Sequence, residues 1–210
     1  MNPETTLENC KNNLFQEKIG KMMEKNSSKE IGENQEKVSL LAVLGSGGHT
    51  AEMLKLVGAM NNEKYSPRTF VYAKTDTISP EKLKGLKNNK DFKTFEIPRA
   101  REVGQKWITS FFYTIYAFFC CLSLILTEKP QLLLVNGPGT CVPIVLATRL
   151  LNLCRLFKTQ IVFVESICRV KTLSLSAKIL MKLRLSDVII VQWPELALKY
   201  PQTRYIGKMF

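Results

Sequence analysis

Two kinds of segment follow one another along residues 38–210. The first kind is a short run of apolar residues rich in Val, Ile and Leu, which predicts a strand buried on both faces of a sheet. We predict six such strands, at residues 38–44, 69–73, 92–97, 131–135, 160–164 and 187–192. The second kind has apolar residues at helical spacing, and it predicts helices after the first strand and near 108–127, 141–154 and 172–184.

This alternation predicts an α/β fold, in which a Rossmann-like parallel sheet carries helices on both faces. Right-handed crossovers place the carboxyl end of every strand, and the loop that follows it, on one rim of the sheet. Ligands of open α/β sheets bind at that rim. A functional site is therefore expected in the loops that follow the strands.

The first 36 residues differ from the rest of the chain. They are rich in Asn, Glu, Lys and Ser, and they lack the apolar core of a signal peptide. We predict a polar, disordered amino-terminal extension at 1–36 and a single domain at 37–210. The alternative for the extension is a short amphipathic helix with an apolar face of Leu14, Phe15, Ile19, Met22 and Met23.

The first predicted strand ends in a glycine-rich loop, GSGGHT, at residues 45–50. Its glycines allow a ligand to approach the backbone closely, and a helix that begins there directs free N–H groups into the loop. This pattern predicts a phosphate cradle. His49 stands where a P-loop has its lysine, and Thr50 stands where the dinucleotide fingerprint has its third glycine, so both motifs are excluded. A tight turn without a ligand is the alternative.

The helix after this loop is predicted from four apolar residues at helical spacing, Met53, Leu54, Val57 and Met60. Its amino end contains residue types that stabilise helix starts. We expect Thr50 or Ser46 to cap it and Glu52 to lie in its first turn.

Two further loops on the same rim contain polar residues. The loop at 135–143 follows the fourth predicted strand and offers Asn136, Gly137, Gly139 and Thr140. The loop at 164–174 follows the fifth and offers Glu165, Ser166, Arg169 and Lys171. Each residue alone has an ordinary structural explanation, such as a helix cap or a solvated surface charge. Together the three loops predict a site for a phosphorylated ligand.

The net charge supports an anionic partner. The formal charge is +12, and residues 1–36 contribute −2, so the remaining residues contribute +14. A basic domain favours a phosphorylated substrate or an anionic membrane surface. Nucleic acid is disfavoured, because the sequence has no zinc-finger spacing, no RNP-like aromatic motif and no compact basic cluster. The single histidine and six scattered cysteines, none in a CxxC pair, argue against a metal site.

The predicted helix near 108–127 contains no charge between Lys106 and Glu128. Its length is sufficient to cross a bilayer. However, predicted strands of one sheet flank it, and a span would separate them. Two other interpretations remain: a crossover helix buried against the sheet, or a helix lying in the membrane interface with Arg99, Arg101 and Lys106 at the headgroups. We favour the interfacial helix over the span.

Six stretches carry a resemblance to a known family, in the same order along residues 38–210: GSGGHTAEML, IPRAREVGQ, VNGPGTCVPI, VESICRVKTLS, VQWPEL and YIGKMF. They resemble the membrane-anchoring subunit of the two-subunit UDP-N-acetylglucosamine transferase of asparagine-linked glycosylation. More distantly, the three loops resemble the acceptor-binding half of the bacterial glycosyltransferase that makes lipid II.

The resemblance implies the acceptor-binding half of a split GT-B glycosyltransferase. A separate donor-binding catalytic subunit would bind UDP-GlcNAc, and the pair would add the second GlcNAc to GlcNAc-diphosphate-dolichol. That reaction implies a location on the cytoplasmic face of the endoplasmic reticulum membrane, activity only within the hetero-oligomer and no cofactor. The alternative is a purely structural membrane scaffold that recruits its partner without acceptor-site chemistry.

The resemblance also implies roles for particular residues. His49 and Glu165 compete as the catalytic base, and a neutral imidazole suits that role near neutral pH. The acceptor diphosphate would bind Gly45, Ser46, Gly47, Gly48, Thr50 and Arg169. The acceptor pocket would contain Asn136, Gly137, Gly139, Thr140 and Ser166. The segment at 204–210 would dock the partner subunit through Tyr205, Ile206, Met209 and Phe210, and it is also compatible with a last strand of the core.

One feature departs from the family pattern. Family members usually open with a transmembrane helix, whereas residues 1–36 here are polar. Two modes of membrane attachment therefore remain open: the helix at 108–127 is sufficient, or another subunit provides the attachment. Lipidation by myristate is not expected, because Asn2 follows the initiator methionine.

Overall fold

A computed structural model describes residues 37–86, 92–99, 107–137 and 139–207. The predicted extension at 1–36 lies outside these residues, as do Arg101, Lys106, Met209 and Phe210. The predictions made for them stay predictions.

The described chain forms one parallel sheet of seven strands in the order β3-β2-β1-β4-β5-β6-β7. Its six longer strands confirm the six predicted from the apolar runs. The seventh, two residues long, occupies the edge beside β6. The strands are β1 Leu40–Val43, β2 Arg68–Ala73, β3 Lys93–Ile97, β4 Leu132–Asn136, β5 Gln160–Val164, β6 Val188–Val191 and β7 Arg204–Tyr205.

The described residues contain six helices. Four of them confirm the helical predictions, and α2 and α6 were not predicted. The sequence of α2, ISPEKLKGL, has few apolar residues, and α6 is only six residues long, so neither shows a clear periodic pattern. The helices are α1 Gly48–Gly58, α2 Ile78–Leu86, α3 Trp107–Glu128, α4 Cys141–Leu153, α5 Leu175–Lys182 and α6 Pro194–Lys199.

The sheet separates two apolar cores, because successive residues of a strand point to opposite faces. Leu41 and Val43 of β1 pack on one face with residues of α3, α4, α5 and α6. Leu40 and Ala42 pack on the other face with residues of α1 and α2. Helices therefore cover both faces, as predicted for a Rossmann-like sheet.

The strand order of the sheet reverses between β1 and β4. The chain places β2 and then β3 on one side of β1. Helix α3 then leads to β4, which pairs with the other side of β1. The helix after β1 covers one face, and the helix after β4 covers the opposite face. The loops after β1 and β4 therefore diverge and leave a crevice, which is the usual ligand-binding position of such sheets.

Helix α3 presents two different faces. Ala117, Cys121 and Ile125 are fully buried against the sheet. Phe112, Tyr116 and Phe119 are more than half exposed, at helical spacing on the opposite side. Across the described ranges, no helix is both long enough and apolar enough to cross a membrane.

Candidate functional site

The glycine loop after β1 begins α1 without a side-chain cap. The N-cap residue is Gly47, whose φ of 71° lies in the region that glycine adopts readily, and no side chain accepts a hydrogen bond from the helix start. The expectation that Thr50 or Ser46 caps this helix is therefore wrong. Glu52 is the fifth residue of α1, so it lies in the second turn and not in the first.

Thr50 instead holds the glycine loop from its buried side. Its side chain is completely buried, and its hydroxyl donates a hydrogen bond to the carbonyl oxygen of Gly45. The same hydroxyl lies 2.6 Å from Ser79 Oγ, and Ser79 Oγ donates to Asp76 Oδ2 at 2.6 Å. Asp76 also accepts from the backbone N–H groups of Ile78 and Ser79 at the start of α2. The glycine loop is thus attached to the first turn of α2.

A second set of polar side chains connects three loops of the rim. His49 Nδ1 lies 2.8 Å from Asn136 Oδ1, and Asn136 Nδ2 donates to Glu52 Oε2 at 2.8 Å. Ser166 Oγ donates to Glu52 Oε1 at 2.8 Å. His49 and Glu52 lie on α1, Asn136 ends β4, and Ser166 follows β5. We call these four residues the rim network.

Gly137 permits the approach of His49 to Asn136. Its φ of 82° favours glycine, and its position faces the imidazole ring. A Cβ atom built at Gly137 would lie 2.5 Å from Cε1 and 2.6 Å from Cγ of His49. Any larger residue would therefore displace the ring.

Gly48 and Gly139 have a different environment. Among the described residues, no atom outside the adjoining chain lies within 4 Å of a Cβ built at either glycine. Both glycines are exposed, on the loops after β1 and β4 respectively. The backbone at these two positions is open to an approaching ligand.

Glu165 is buried, and both of its carboxylate oxygens accept backbone hydrogen bonds. Oε1 accepts from Ser166 N at 3.1 Å, and Oε2 accepts from Ser174 N at 2.7 Å. Ser174 is the N-cap of α5, and its hydroxyl accepts from Ala177 N. Glu165 therefore joins the end of β5 to the start of α5.

The remaining predicted site residues are dispersed along the same rim. Thr140 is buried next to the start of α4, and Ser46 is exposed within the glycine loop. Arg169 is exposed, and its backbone N–H donates to Ser166 O at 3.0 Å. Trp193 Nε1 holds that loop through a 2.7 Å hydrogen bond to Ile167 O.

Two of the four predicted docking residues lie within the described chain, and one of the two is exposed while the other is buried. Tyr205, in β7, is 43% exposed. Ile206 is 9% exposed and packs in the core that contains α1 and α2. The interpretation as a last strand is therefore confirmed for Arg204–Tyr205, and docking of the partner stays a prediction.

Two of the cysteines, Cys121 and Cys141, are buried and unreactive. Burial raises the pKa of the Cys141 thiol, at the start of α4, to about 12, and burial raises that of Cys121 in α3 to about 12 as well. Both are protonated thiols at neutral pH. Within the described ranges, no group of three or more His, Cys, Asp or Glu side chains could hold a metal ion.

The sequence patterns did not single out Glu52, Asp76 or Ser79 as members of the site. Asp76 and Ser79 reach the glycine loop only through the packing of α2. Glu52 gave a local signal, because it follows His49 at the i, i+3 spacing that places two side chains on one face of a helix. Its two hydrogen-bond partners are distant along the chain, so no local pattern in the sequence pointed to them.

Two solved structures share this fold. The chain matches MurG of Acinetobacter baumannii with a TM-score of 0.51 and 17% identity, covering 76% of this chain and 42% of that one. It matches a putative UDP-N-acetylglucosamine 2-epimerase of Listeria monocytogenes with a TM-score of 0.51 and 16% identity, covering 76% and 40%. The chain thus spans about two fifths of each. These likenesses define its class as a Rossmann-like domain of GT-B type.

Sequence comparison identifies the family. A model of the family described as "Oligosaccharide biosynthesis protein Alg14 like" matches residues 40–209. A Mus musculus protein named UDP-N-acetylglucosamine transferase subunit ALG14 is 48% identical over 186 residues, covering 83% of this chain and 84% of that protein. The Homo sapiens protein of the same name is 45% identical over 185 residues, with the same coverage. The chain belongs to the Alg14-like family.

Proposed function

We propose that this chain is the acceptor-binding, membrane-recruiting subunit of a two-subunit UDP-N-acetylglucosamine transferase. Family membership supports a transferase subunit, because the mouse and human relatives bear that name. The specific reaction would be addition of the second GlcNAc to GlcNAc-diphosphate-dolichol at the cytoplasmic face of the endoplasmic reticulum. A donor-binding partner subunit would supply the UDP-GlcNAc site.

One observation carries the acceptor-binding role. The glycine loop after β1 and the Asn136 loop after β4 border the crevice where the strand order reverses, and His49 contacts Asn136 there. Gly48 and Gly139 expose backbone there. The free N–H groups at the start of α1 suit a diphosphate, since helix starts attract anions. Gly45, Ser46 and Arg169 would complete the phosphate contacts, while the buried Thr50 would support the loop.

His49 is the better candidate for the base. Its side chain is 33% exposed and follows the open Gly48, so an acceptor bound at these glycines would bring its hydroxyl within reach of Nε2. Glu165 has both carboxylate oxygens occupied by backbone N–H groups inside the protein. Glu165 would therefore act by holding the loop that contains Ser166 and Arg169.

The exposed apolar face of α3 supports membrane recruitment. Phe112, Tyr116 and Phe119 form a stripe of aromatic side chains on a helix whose other face is buried in the core. Such a stripe fits a helix lying in the lipid interface. Arg99, which precedes α3, would lie near the headgroups together with Arg101 and Lys106.

A reconstituted transfer assay tests the acceptor role. Membranes containing this chain and its partner subunit receive labelled UDP-GlcNAc and a GlcNAc-diphosphate-lipid, and partner recruitment is measured in the same membranes. We expect His49→Ala to retain the partner and to reduce transfer by about 10²- to 10⁴-fold, the usual contribution of a general base. Glu165→Gln, which retains the side-chain shape, is expected to reduce transfer much less.

The scaffold alternative gives the opposite result. If His49→Ala transfers at the wild-type rate while a truncation after Arg204 loses both partner and transfer, the chain only recruits its partner. The loop at 45–50 would then be a turn without a ligand.

A further inference from the structure

Glu52 is the centre of the rim network and has no role in the function proposed above. Its side chain is 12% exposed, and its two carboxylate oxygens accept hydrogen bonds from two different loops. Asn136 donates to Oε2 from the end of β4, and Ser166 donates to Oε1 from the loop after β5. Both partners are more than 80 residues away along the chain.

The chemistry of these groups fixes the direction of each hydrogen bond. An ionised carboxylate only accepts, so Asn136 must turn its NH₂ group toward Glu52. The Asn136 amide then necessarily presents its oxygen to His49 Nδ1, at 2.8 Å. An amide oxygen also only accepts, so Nδ1 of His49 must carry a proton.

A neutral imidazole has one ring proton, and its second nitrogen then carries a lone pair. With the proton held at Nδ1, the lone pair lies at Nε2, the nitrogen directed away from Asn136. In the opposite tautomer, Nδ1 would carry the lone pair and face an oxygen atom, and Nε2 would be unable to accept a proton.

We propose that Glu52 is a positioning residue that acts through Asn136 to hold His49 in the Nδ1–H tautomer, with the Nε2 lone pair facing the acceptor site. This inference deepens the proposed function, because it makes Nε2 the atom that takes the proton of the acceptor hydroxyl. Glu52 does not touch the acceptor. Its contact with Ser166 holds the third loop in the same arrangement.

The single histidine of the chain makes the tautomer directly measurable. The full chain is labelled with ¹⁵N-histidine and assembled with its unlabelled partner subunit, so that one imidazole is observed. The ¹⁵N chemical shifts are recorded at a pH where the ring is neutral. We expect a protonated, pyrrole-like Nδ1 and an unprotonated, pyridine-like Nε2 in the wild type. A pyridine-like Nδ1 would overturn the proposal without any variant.

Three variants then test the role of Glu52. Glu52→Met retains the length of the side chain but has no acceptor of this strength, so the Asn136 amide is released and the two tautomers should mix. Combining Glu52→Met with Asn136→Asp should restore the Nδ1–H tautomer, because a carboxylate at position 136 only accepts. Glu81→Gln removes an exposed carboxylate of α2 and should leave the wild-type spectrum unchanged. A Glu52→Met spectrum identical to the wild type would exclude the role of Glu52.

Transfer activity separates this inference from the proposed function. We expect Glu52→Met to lower kcat about 10-fold or more, with recruitment of the partner unchanged. If the wild-type ring has the Nδ1–H tautomer and His49→Ala still transfers normally, the positioning inference stands and the assignment of His49 as base fails. If the tautomer does not depend on Glu52 and His49→Ala is inactive, the assignment of His49 as base stands and the positioning inference fails.

Discussion

At the scale of single residues, the position of His49 depends on the absence of a Cβ atom at Gly137. Gly137 has no side chain, and the imidazole ring occupies the space that a Cβ atom would need. Asn136, one residue earlier, provides the oxygen that contacts Nδ1. The ring is therefore held against the end of β4, with one edge toward the open loop.

Replacing Gly137 with alanine tests this arrangement. The new Cβ atom would contact the His49 ring, and the φ of 82° is unfavourable for alanine. We expect Gly137→Ala to lower the free energy of unfolding by about 1–3 kcal/mol and to reduce transfer by about 10²-fold through displacement of the ring. Chemical denaturation and the reconstituted assay measure the two effects.

Gly139→Ala is the matched control for that variant. A Cβ at Gly139 meets no atom of the described chain outside its immediate neighbours, so its stability should change by about 0.5 kcal/mol or less. Equal losses of stability in both variants would show that the His49 contact is not the cause.

The thiols provide a second residue-scale prediction. Burial raises the pKa values of Cys121 and Cys141 to about 12, so both stay protonated well above neutral pH and are unreactive. Cys154 and Cys168 are exposed. We expect iodoacetamide at pH 8 to modify the exposed pair and to spare the buried pair until the protein is denatured. Peptide mass spectrometry measures each site, and rapid native modification of Cys141 would contradict the packing at the start of α4.

At the scale of secondary-structure elements, buried polar side chains attach the loops of the rim to helix starts. Asp76 and Thr50 attach the glycine loop to α2, through Ser79. Glu165 attaches the end of β5 to α5. Each of these groups satisfies backbone atoms that burial would otherwise leave unpaired.

Removing Glu165 should therefore weaken the junction of β5 and α5. Glu165→Ala leaves the N–H groups of Ser166 and Ser174 without their acceptor, and hydrogen bonds to charged groups contribute about 1.5–3 kcal/mol each. We expect the free energy of unfolding to fall by about 3 kcal/mol in urea denaturation. Glu195→Ala on α6 removes an exposed carboxylate and should have little effect. If Glu165→Ala unfolds at the same urea concentration as the wild type, Glu165 has no structural role at this junction and is again a candidate for the base.

The outer face of α3 makes a prediction at the same scale. Replacing Phe112, Tyr116 and Phe119 with serine should abolish binding to phosphatidylcholine vesicles that contain an anionic lipid. The fold should be retained, because the three side chains are exposed. Vesicle flotation measures the binding, and circular dichroism checks the helix content.

A matched triple variant controls for the loss of exposed apolar area in general. Leu175, Leu183 and Leu198 lie outside α3 and are each more than half exposed. Their replacement with serine should leave flotation unchanged. Equal loss in the two triple variants would mean that α3 is not the membrane-binding surface.

At the scale of the whole molecule, the chain matches 42% of the MurG structure that shares its fold. The described residues form one seven-stranded sheet, and the loops after β1 and β4 lie on one rim of it. Under the proposed function, a separate donor-binding subunit would bring UDP-GlcNAc to that rim.

The proposed function predicts that activity requires two chains. We expect the purified chain to show no transfer from UDP-GlcNAc, and addition of the donor-binding subunit to restore it. A Tyr205→Ala variant should weaken recruitment, because Tyr205 is the exposed aromatic side chain of β7. Co-sedimentation and the transfer assay measure these outcomes. Transfer by the single chain would refute the split-enzyme proposal.

The sequence by itself determined the strands and most of the helices. A strand buried on both faces of a sheet shows a continuous run of apolar residues, and a helix buried on one face shows apolar residues at helical spacing. It also located the three loops, whose glycines and polar residues interrupt those patterns. Only the tertiary structure decided which polar side chains meet. His49 contacts Asn136 across 87 positions, and Glu52 contacts Ser166 across 114. These contacts arise because the crossover through α3 places β4 beside β1, and no local pattern encodes that strand order.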